Sequence, residues 1–585
     1  MASFQASCTV LSTNPRSHSS SSTQPLSAKP SHLFTNPRRS HRFQVSCDAK
    51  KNVETSQGKI DRRNMLLGLG GLYSAANLVS NPSAYADPVQ APDFTKCGDA
   101  HDVATGALLD AKCCPPLPDK IIDYEIPKFE VLRKRPAAHM ASKEQVAKYE
   151  KAIQAMRDLD TSHPEDPRGF MQQANIHCAY CNGAHDQVGN YDKLDLQVHN
   201  SWLFFPFHRW YLYFYERILG SLINDPTFAL PFWNWDNPKG MTLPPIFDKS
   251  SSPLYDEKRD PKNNGSAIVD LTFSGSTDPL QLVANNLSSI YSEMVRSVST
   301  TTDFVGKPYC AGSKPSPGGG SSENGSHTGI HWWVGTKEPT GPNKFNEDMG
   351  NFYSAGRDPV FYCHHSNVDR MWTIWRDVVQ TDIPKDITSS NYLNAEFLFY
   401  DENKRLVRVK AGDCFDQRKL GYDYDRVDLP WLNYRPPPKA VKAKVSNISD
   451  TKTAASVLPV NLKDTVRIIV PKSAKGKANE QLVLEDIQTD TTKFIKFDVF
   501  INDEDDKIEE LDRAEYAGSF AQVPHKSKNT QGKATISLKL TDLYDDIDVS
   551  EDDTIVVTIV PRSNGKDVTI GGIKVIPVPT AAQSS

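Results

Sequence analysis

The chain has 585 residues, 38% of them hydrophobic and 24% charged, the balance of a globular protein long enough for two or more domains. A formal net charge of −5, with no basic stripe and no RNA-binding signature, argues against a nucleic-acid partner and suits a small neutral substrate.

Residues 1–60 are rich in Ser, Thr, Pro and basic residues, with Asp48 and Glu54 as their only acids, which is the composition of a chloroplast transit peptide. Over 61–86 come Arg62-Arg63-Asn64, an apolar run and Ala84-Tyr85-Ala86, which together make a twin-arginine signal with an A-x-A cleavage site. The apolar run is too short and Gly-rich to span a bilayer, and no transmembrane segment is expected in the mature chain. Nested signals of this kind send a plastid precursor on to the thylakoid lumen through the twin-arginine translocation machinery, with a mature start near Asp87. That machinery carries folded, often cofactor-loaded cargo, which hints at a metal inserted before export.

Cys8 and Cys47 belong to the leader, whereas Cys97, Cys113, Cys114, Cys178 and Cys181 crowd into the next part of the chain. Such crowding points to disulfides in an oxidising space. The adjacent Cys113 and Cys114 cannot easily pair with each other, so each needs a distant partner, and the N-terminal arm would be stapled to the body.

Ser142-Lys143-Glu144-Gln145 is a capping-box pattern, followed by Val146, Tyr149, Ile153 and Met156 at helical spacing, so a helix is expected over 143–159. A second, over 207–223, is apolar on nearly every side and therefore buried, with Pro226 and Pro231 ending it. Residues 238–266 and 313–326 are rich in Pro, Gly, Ser and Asn and read as loops. Helices thus hold the core of a domain over 87–431 and long loops decorate it. Over 432–462 a proline run, lysines and small polar residues make a linker. Strand-like alternation at 465–470, 494–501, 536–540 and 554–560 marks a separate all-β domain over 463–585. With one histidine, His525, and no cysteine, that domain suits a structural or regulatory role better than a chemical one.

The histidines form a constellation. His177, His199 and His208 lie in one stretch, then His327 and His331 in "SHTGIHWW", then His364 and His365 in "FYCHHSNVDRMW". A lone histidine on an apolar face is more often a satisfied core residue than a ligand, but clustering changes those odds. His327 and His331, four apart, share one face of a helix. Adjacent His364 and His365 point about 100° apart, so only one is expected to reach an ion. His365 is the better candidate, because Asp369 lies one turn later on its face and is placed to accept the ring N–H, whereas His364 has Val368 there. Imidazoles without carboxylate or thiolate ligands suit copper, zinc or iron, and two groups of three favour a paired site. A zinc hydrolase would bring a carboxylate ligand or an H-E-x-x-H helix, and His327-Thr328-Gly329-Ile330-His331 has neither, so copper is favoured.

Taken together, "HCAYC", "FPFHRWYLYFYER", "PFWNWD", "HTGIHWWVG" and "RDPVFYCHHSNVDRMW" resemble plant polyphenol oxidases, the catechol oxidase branch of the type 3 copper proteins. "YDYDRVDLPWL" is similar to the end of that family's copper domain and "KFDVFIND" to its C-terminal domain, so the likeness runs the length of the mature chain. The resemblance implies a mainly α catalytic domain, a four-helix-bundle dicopper core with long loops, followed by an all-β, sandwich-like C-terminal domain. One copper would be held by His177, His199 and His208, the other by His327, His331 and His365. It further implies a thioether between Cys181 and His199, and disulfides Cys97–Cys114 and Cys113–Cys178. Glu323 matches a residue that holds a water near the metals, and Phe352 the aromatic over the entrance; His139 and His185 match no ligand. The implied reaction takes o-diphenols and O2 to o-quinones and water. Monophenol hydroxylation is the lesser activity, because Thr328 stands where the family commonly has Asn. The C-terminal domain would cover the site until the linker is cut, or else assist folding and copper loading. A type 3 copper protein that binds oxygen without turnover is the alternative. The sequon Asn324-Gly325-Ser326 lies beside His327, where a glycan is awkward, in agreement with a plastid route.

Overall fold

The structure, a computed structural model, describes residues 87–99, 113–117, 120–335, 347–379, 382–438, 451–474, 476, 479–503, 513–525 and 531–578. The expected leader segments 1–60 and 61–86, and residues 439–450 of the expected linker, lie outside the described residues.

Helix α1, Lys143–Ser162, starts at the expected capping box: Ser142 Oγ accepts from Gln145 N at 3.2 Å and Gln145 Oε1 accepts from Ser142 N at 2.8 Å. Tyr149, Ala152, Ile153 and Met156 form its buried face. Helix α2, Phe170–Cys181, is legible only in the structure, because it is buried on nearly all sides and lacks the amphipathic stripe that marks a surface helix. Helix α3, Phe204–Leu222, begins earlier than expected; Pro206 sits in its first turn, where a missing N–H costs nothing. It ends at Leu222, before Pro226 and Pro231, and Asn224 just beyond it, with a φ of 54°, turns the chain. Helix α4, Pro279–Tyr291, is capped by Asp278. Helix α5, Thr328–Val334, continues a π-helical turn over Glu323–His327, so the loop expected over 313–326 is helical at its end. Glycine is required there by close packing: a Cβ on Gly325 would lie 2.1 Å from Glu293 Oε1. Helix α6, Val360–Asp377, packs against α3, and α1, α2, α3 and α6 frame the core.

Five short strands join the helical domain. β1 (Ile121–Asp123), β4 (Leu406–Lys410) and β3 (Glu396–Tyr400) make one sheet, while β2 (Arg133–Arg135) and β5 (Tyr422–Tyr424) pair in parallel. No helix among the described residues is long and apolar enough to cross a membrane.

The C-terminal domain is two sheets face to face. One orders β11 (Tyr516–Gln522), β10 (Ile495–Ile501), β13 (Thr554–Ser563), β8 (Val466–Pro471) and β6 (Lys452–Thr453); the other orders β12 (Gln531–Lys539), β9 (Glu480–Asp490), β14 (Val568–Pro577) and β7 (Val460–Asn461). Ile468, Phe497 and Val557 meet Leu484, Ile570 and Ile573 in its core, the alternation expected of a sandwich. β6 and β7 lie in residues read as linker, so the folded domain starts near 451, not 463; the parallel pairing of Lys452 with Ile468 draws that stretch in.

The domain is docked on the helical body. Arg296 Nη2 meets Asp546 at 2.9 Å, Trp332 stacks on Phe494 at 4.0 Å, and Ser297 Oγ donates to Ala517 O at 2.6 Å.

Candidate metal centre

His177 on α2, His208 on α3, His331 on α5 and His365 on α6, with His199 and His327 just ahead of α3 and α5, converge in the bundle, and each is at most 2% exposed. Two groups have ring nitrogens mutually within 4.8 Å: His177, His199 and His208, and His327, His331, His364 and His365. Backbone carbonyls set the tautomers. His177 Nδ1 donates to Phe352 O at 2.8 Å, His208 Nδ1 to Phe204 O at 2.8 Å, His327 Nδ1 to Glu323 O at 3.2 Å and His331 Nδ1 to Met349 O at 2.8 Å. A carbonyl only accepts, so the proton stays on Nδ1 and Nε2 keeps its lone pair. The Nε2 atoms of His177, His208 and His327 have no hydrogen-bond partner among the described residues. Nε2 of His331 and His365 lie 3.2 Å apart, close to the roughly 3.3 Å expected of two nitrogens about 2.0 Å from one tetrahedral ion. Burial lowers the pKa of every ring, His208 to about 3 and His331 to about 4, so the imidazoles stay neutral and available to a metal.

His365, the expected ligand of the adjacent pair, is not held by Asp369: its Nδ1 has no partner among the described residues. The Asp369 carboxylate lies instead in an ionic cluster: it accepts from Arg209 Nε at 2.5 Å, from Tyr422 Oη at 2.6 Å and from Tyr424 Oη at 2.5 Å, and Arg135 Nη1 lies at 3.4 Å. Two buried guanidiniums outbid an imidazole for a carboxylate, and they hold the Asp369 pKa below its ordinary value. The cluster ties α3, α6, β2 and β5 together, so Asp369 shapes the site at a distance. His364 has a donor beside it: the Trp235 indole N–H donates to His364 Nδ1 at 3.2 Å.

Phe352 stacks on His199 with ring centroids 4.0 Å apart, and its carbonyl holds His177. Glu323 is 2% exposed; Oε1 accepts from Asn200 N at 2.7 Å, Oε2 has no partner among the described residues, and burial raises its pKa. The Thr328 hydroxyl donates to Glu323 O at 2.8 Å, which commits its proton to the backbone. Cys181, at the end of α2, is buried and unbridged. One amide joins its neighbourhood to that of His199: Gln197 Nε2 donates to Cys181 O at 2.9 Å and Gln197 Oε1 accepts from His199 N at 3.0 Å. Cys97 is bonded to Cys114 and Cys113 to Cys178, which staples the N-terminal arm to α2. His185 stacks on Phe94 and His139 lies in a 3-10 turn, neither in the two clusters. Asn324 of the sequon is 3% exposed and its Nδ2 donates to Gly319 O, so no glycan fits there.

Sequence reasoning missed three aromatics and a histidine. Phe361 packs on His177 and His365 at 4.8 and 4.2 Å, and Phe204 on His327 at 4.7 Å. Trp235 is the third. His525 of the C-terminal domain stacks on Phe352 with ring centroids 5.6 Å apart, and Pro524 O accepts from Phe352 N at 3.3 Å. The one available signal was that His525 is the C-terminal domain's sole histidine.

Seven neutral imidazoles in two groups, most with one lone pair orphaned, fit a pair of copper ions, which accept nitrogen ligands in both oxidation states.

Comparison with known proteins agrees. Residues 167–378 match the common central domain of tyrosinase, 386–437 the polyphenol oxidase middle domain and 458–577 the chloroplastic polyphenol oxidase C-terminal domain. The chain is 48% identical to polyphenol oxidase E, chloroplastic, of Solanum lycopersicum, over 94% of each protein. It is 46% identical to catechol oxidase B, chloroplastic, of Solanum tuberosum, again over 94% of each. A solved latent aurone synthase (polyphenol oxidase) from natural source superposes with a TM-score of 0.77 at 46% identity, covering 84% of this chain and 100% of that one. The chain therefore belongs to the plant polyphenol oxidase family, whose tyrosinase-type domain carries a type 3 dicopper centre.

Proposed function

We propose that this chain oxidises o-diphenols to o-quinones with reduction of O2 to water, using one copper on His177, His199 and His208 and a second on His327, His331 and His365. The observation that carries this is the convergence of buried imidazoles whose Nδ1 protons are spent on backbone carbonyls, leaving Nε2 for metal. When bound, the copper pair would supply the redox chemistry that passes two electrons from each of two diphenols to one O2, which takes up four electrons and four protons to give two waters.

The protein's own residues do the rest. Phe352, flat against His199, fixes that ring and supplies an apolar surface for a phenol. Glu323, anchored by Asn200 N and with Oε2 unpaired, holds a water that accepts phenolic protons. Thr328, its hydroxyl committed to Glu323 O, offers that water little help, which makes diphenol oxidation the main activity over monophenol hydroxylation. A thioether joins Cys181 Sγ to the His199 ring; its formation removes one hydrogen from each partner, with O2 as the two-electron oxidant. The Gln197 amide that bridges their backbones supports it.

The C-terminal domain is the cover of a latent precursor. Val523 packs into the catalytic core, Pro524 bonds Phe352 and His525 stacks on its ring, so the loop after β11 closes the approach to His199. Cutting at 439–450, between the last described residue of the helical domain and β6, is the step that releases it. The plastid setting of the family and the twin-arginine pattern at Arg62-Arg63 support a mature chain that resides in the thylakoid lumen.

The test is oxygen uptake by the copper-loaded mature chain with a simple catechol, before and after proteolysis at 439–450. Uptake that rises on cutting is the expected result. Two coppers bound per chain with no uptake in either state would refute the oxidase and favour an oxygen-binding protein.

A further inference from the structure

We propose that Trp235 is a positioning residue that keeps His364 out of the copper ligand set through a single hydrogen bond. The inference rests on the ligand assignment above. Four imidazoles, not three, gather on that side: a ring nitrogen of His364 lies within 4.8 Å of those of His327, His331 and His365. His364 is fully buried, stacked on His327 at 5.5 Å and edge-on to His331 at 5.0 Å. By position and burial it is as much a candidate ligand as its neighbour.

Its protons tell the two apart. An indole nitrogen is a donor only, so the contact from Trp235 Nε1 to His364 Nδ1, at 3.2 Å, requires Nδ1 to present its lone pair. In the neutral ring the proton then sits on Nε2, which has no partner among the described residues. One nitrogen has its lone pair engaged and the other carries hydrogen, so neither is free for a metal. The assigned ligands held by carbonyls have the reverse pattern: the partner takes the Nδ1 proton and Nε2 is free. A donor thus stands behind His364, carbonyl acceptors stand behind four of the six assigned ligands, and Nδ1 of the other two, His199 and His365, meets no donor among the described residues.

Trp235 is held for this task. It is fully buried, and the next residue, Asp236, accepts from Arg370 Nη1 at 2.9 Å and Asn367 Nδ2 at 3.0 Å, both on α6, and from Trp431 Nε1 at 3.0 Å. The indole is thus clamped to the helix that carries His364 and His365.

The experiment uses the mature full-length chain, stripped of metal and reloaded with Co(II), whose visible spectrum reports coordination number. Wild type and His364→Asn should each bind two Co(II) with the same spectrum. Trp235→Phe, and Trp235→benzothienylalanine, which keeps the indole shape without the N–H, should free His364 as an added ligand. The visible bands then weaken, and one Co(II) is held about tenfold or more tightly against a chelator, the scale of an altered partner behind a ligand. Adding His364→Asn to either Trp235 variant should restore the wild-type spectrum and affinity. Unchanged spectra and affinity in both Trp235 variants, or a change that survives His364→Asn, would overturn the proposal. Loss of one metal in His364→Asn alone is a different failure, which overturns the ligand assignment itself.

Discussion

Asp546→Ala should turn the uncut chain into an active enzyme. Asp546 is the anion facing Arg296, which is 2% exposed and reaches across from the helical domain. Burial pushes the Arg296 pKa down and the Asp546 charge opposes that. Removing one partner of a buried pair typically costs about 3–5 kcal/mol while the other stays buried. Arg296 keeps bonds to Ala514 O at 2.6 Å and Tyr516 O at 3.3 Å, which argues for the low end, and Arg435, half exposed on the same carboxylate, adds little. In the open state Arg296 is hydrated and the loss vanishes, so closure weakens by about 3 kcal/mol and the open fraction rises about a hundredfold. The assay is oxygen uptake with catechol by the uncut variant, with the cut protein as reference. Uncut activity should climb toward the cut value, while the cut variant matches cut wild type. A folded, copper-replete variant as silent as uncut wild type would show that this ion pair does not hold the cover.

Acid should loosen the cover through His525. Burial lowers its pKa below the ordinary 6.5, so closure is supported above that pH and loses up to about 1.4 kcal/mol per unit as pH falls through it. Glu293, raised to about 7 by burial in the same interface, acts in the opposite sense, its support fading as pH rises toward 7. Activity of the uncut chain against pH in a Glu293→Gln background therefore isolates His525, and His525→Gln should flatten the remaining slope. Glu323→Gln should retain two coppers while slowing diphenol turnover by about 10²-fold or more, the scale of a lost general base; an unchanged rate would remove Glu323 from proton transfer. Mass spectrometry of the fully reduced mature chain should find it short by the two hydrogens lost in the thioether, and Cys181→Ser should restore them.

Much of the site was legible because its signals are local. The spacing of His327 and His331 and the run of apolar residues around His208 report helix faces directly, and those rings do meet. Asp369 illustrates the limit. Helical geometry put it one turn from His365, but Arg135 and Arg209, more than 150 positions away, claim its carboxylate. Helix α2 escaped notice for a related reason: a helix covered on every side has no stripe to read. The 313–326 stretch looked like loop because glycine usually marks flexibility, whereas Gly325 is there to let Glu293 approach.

The sequence determined which residue types gather, their order and the division into a helical and a β domain, and its family resemblance supplied the disulfide pairs. Only the tertiary structure decided that four of the imidazoles give their Nδ1 protons to carbonyls, that His364 has an indole donor beside it, and that His525 lies against Phe352. Those outcomes depend on partners such as Phe352 O, Met349 O, Trp235 Nε1 and Pro524 O. Periodicity records which face a side chain occupies, but a hydrogen bond to a distant segment exists only once folding has brought donor and acceptor together.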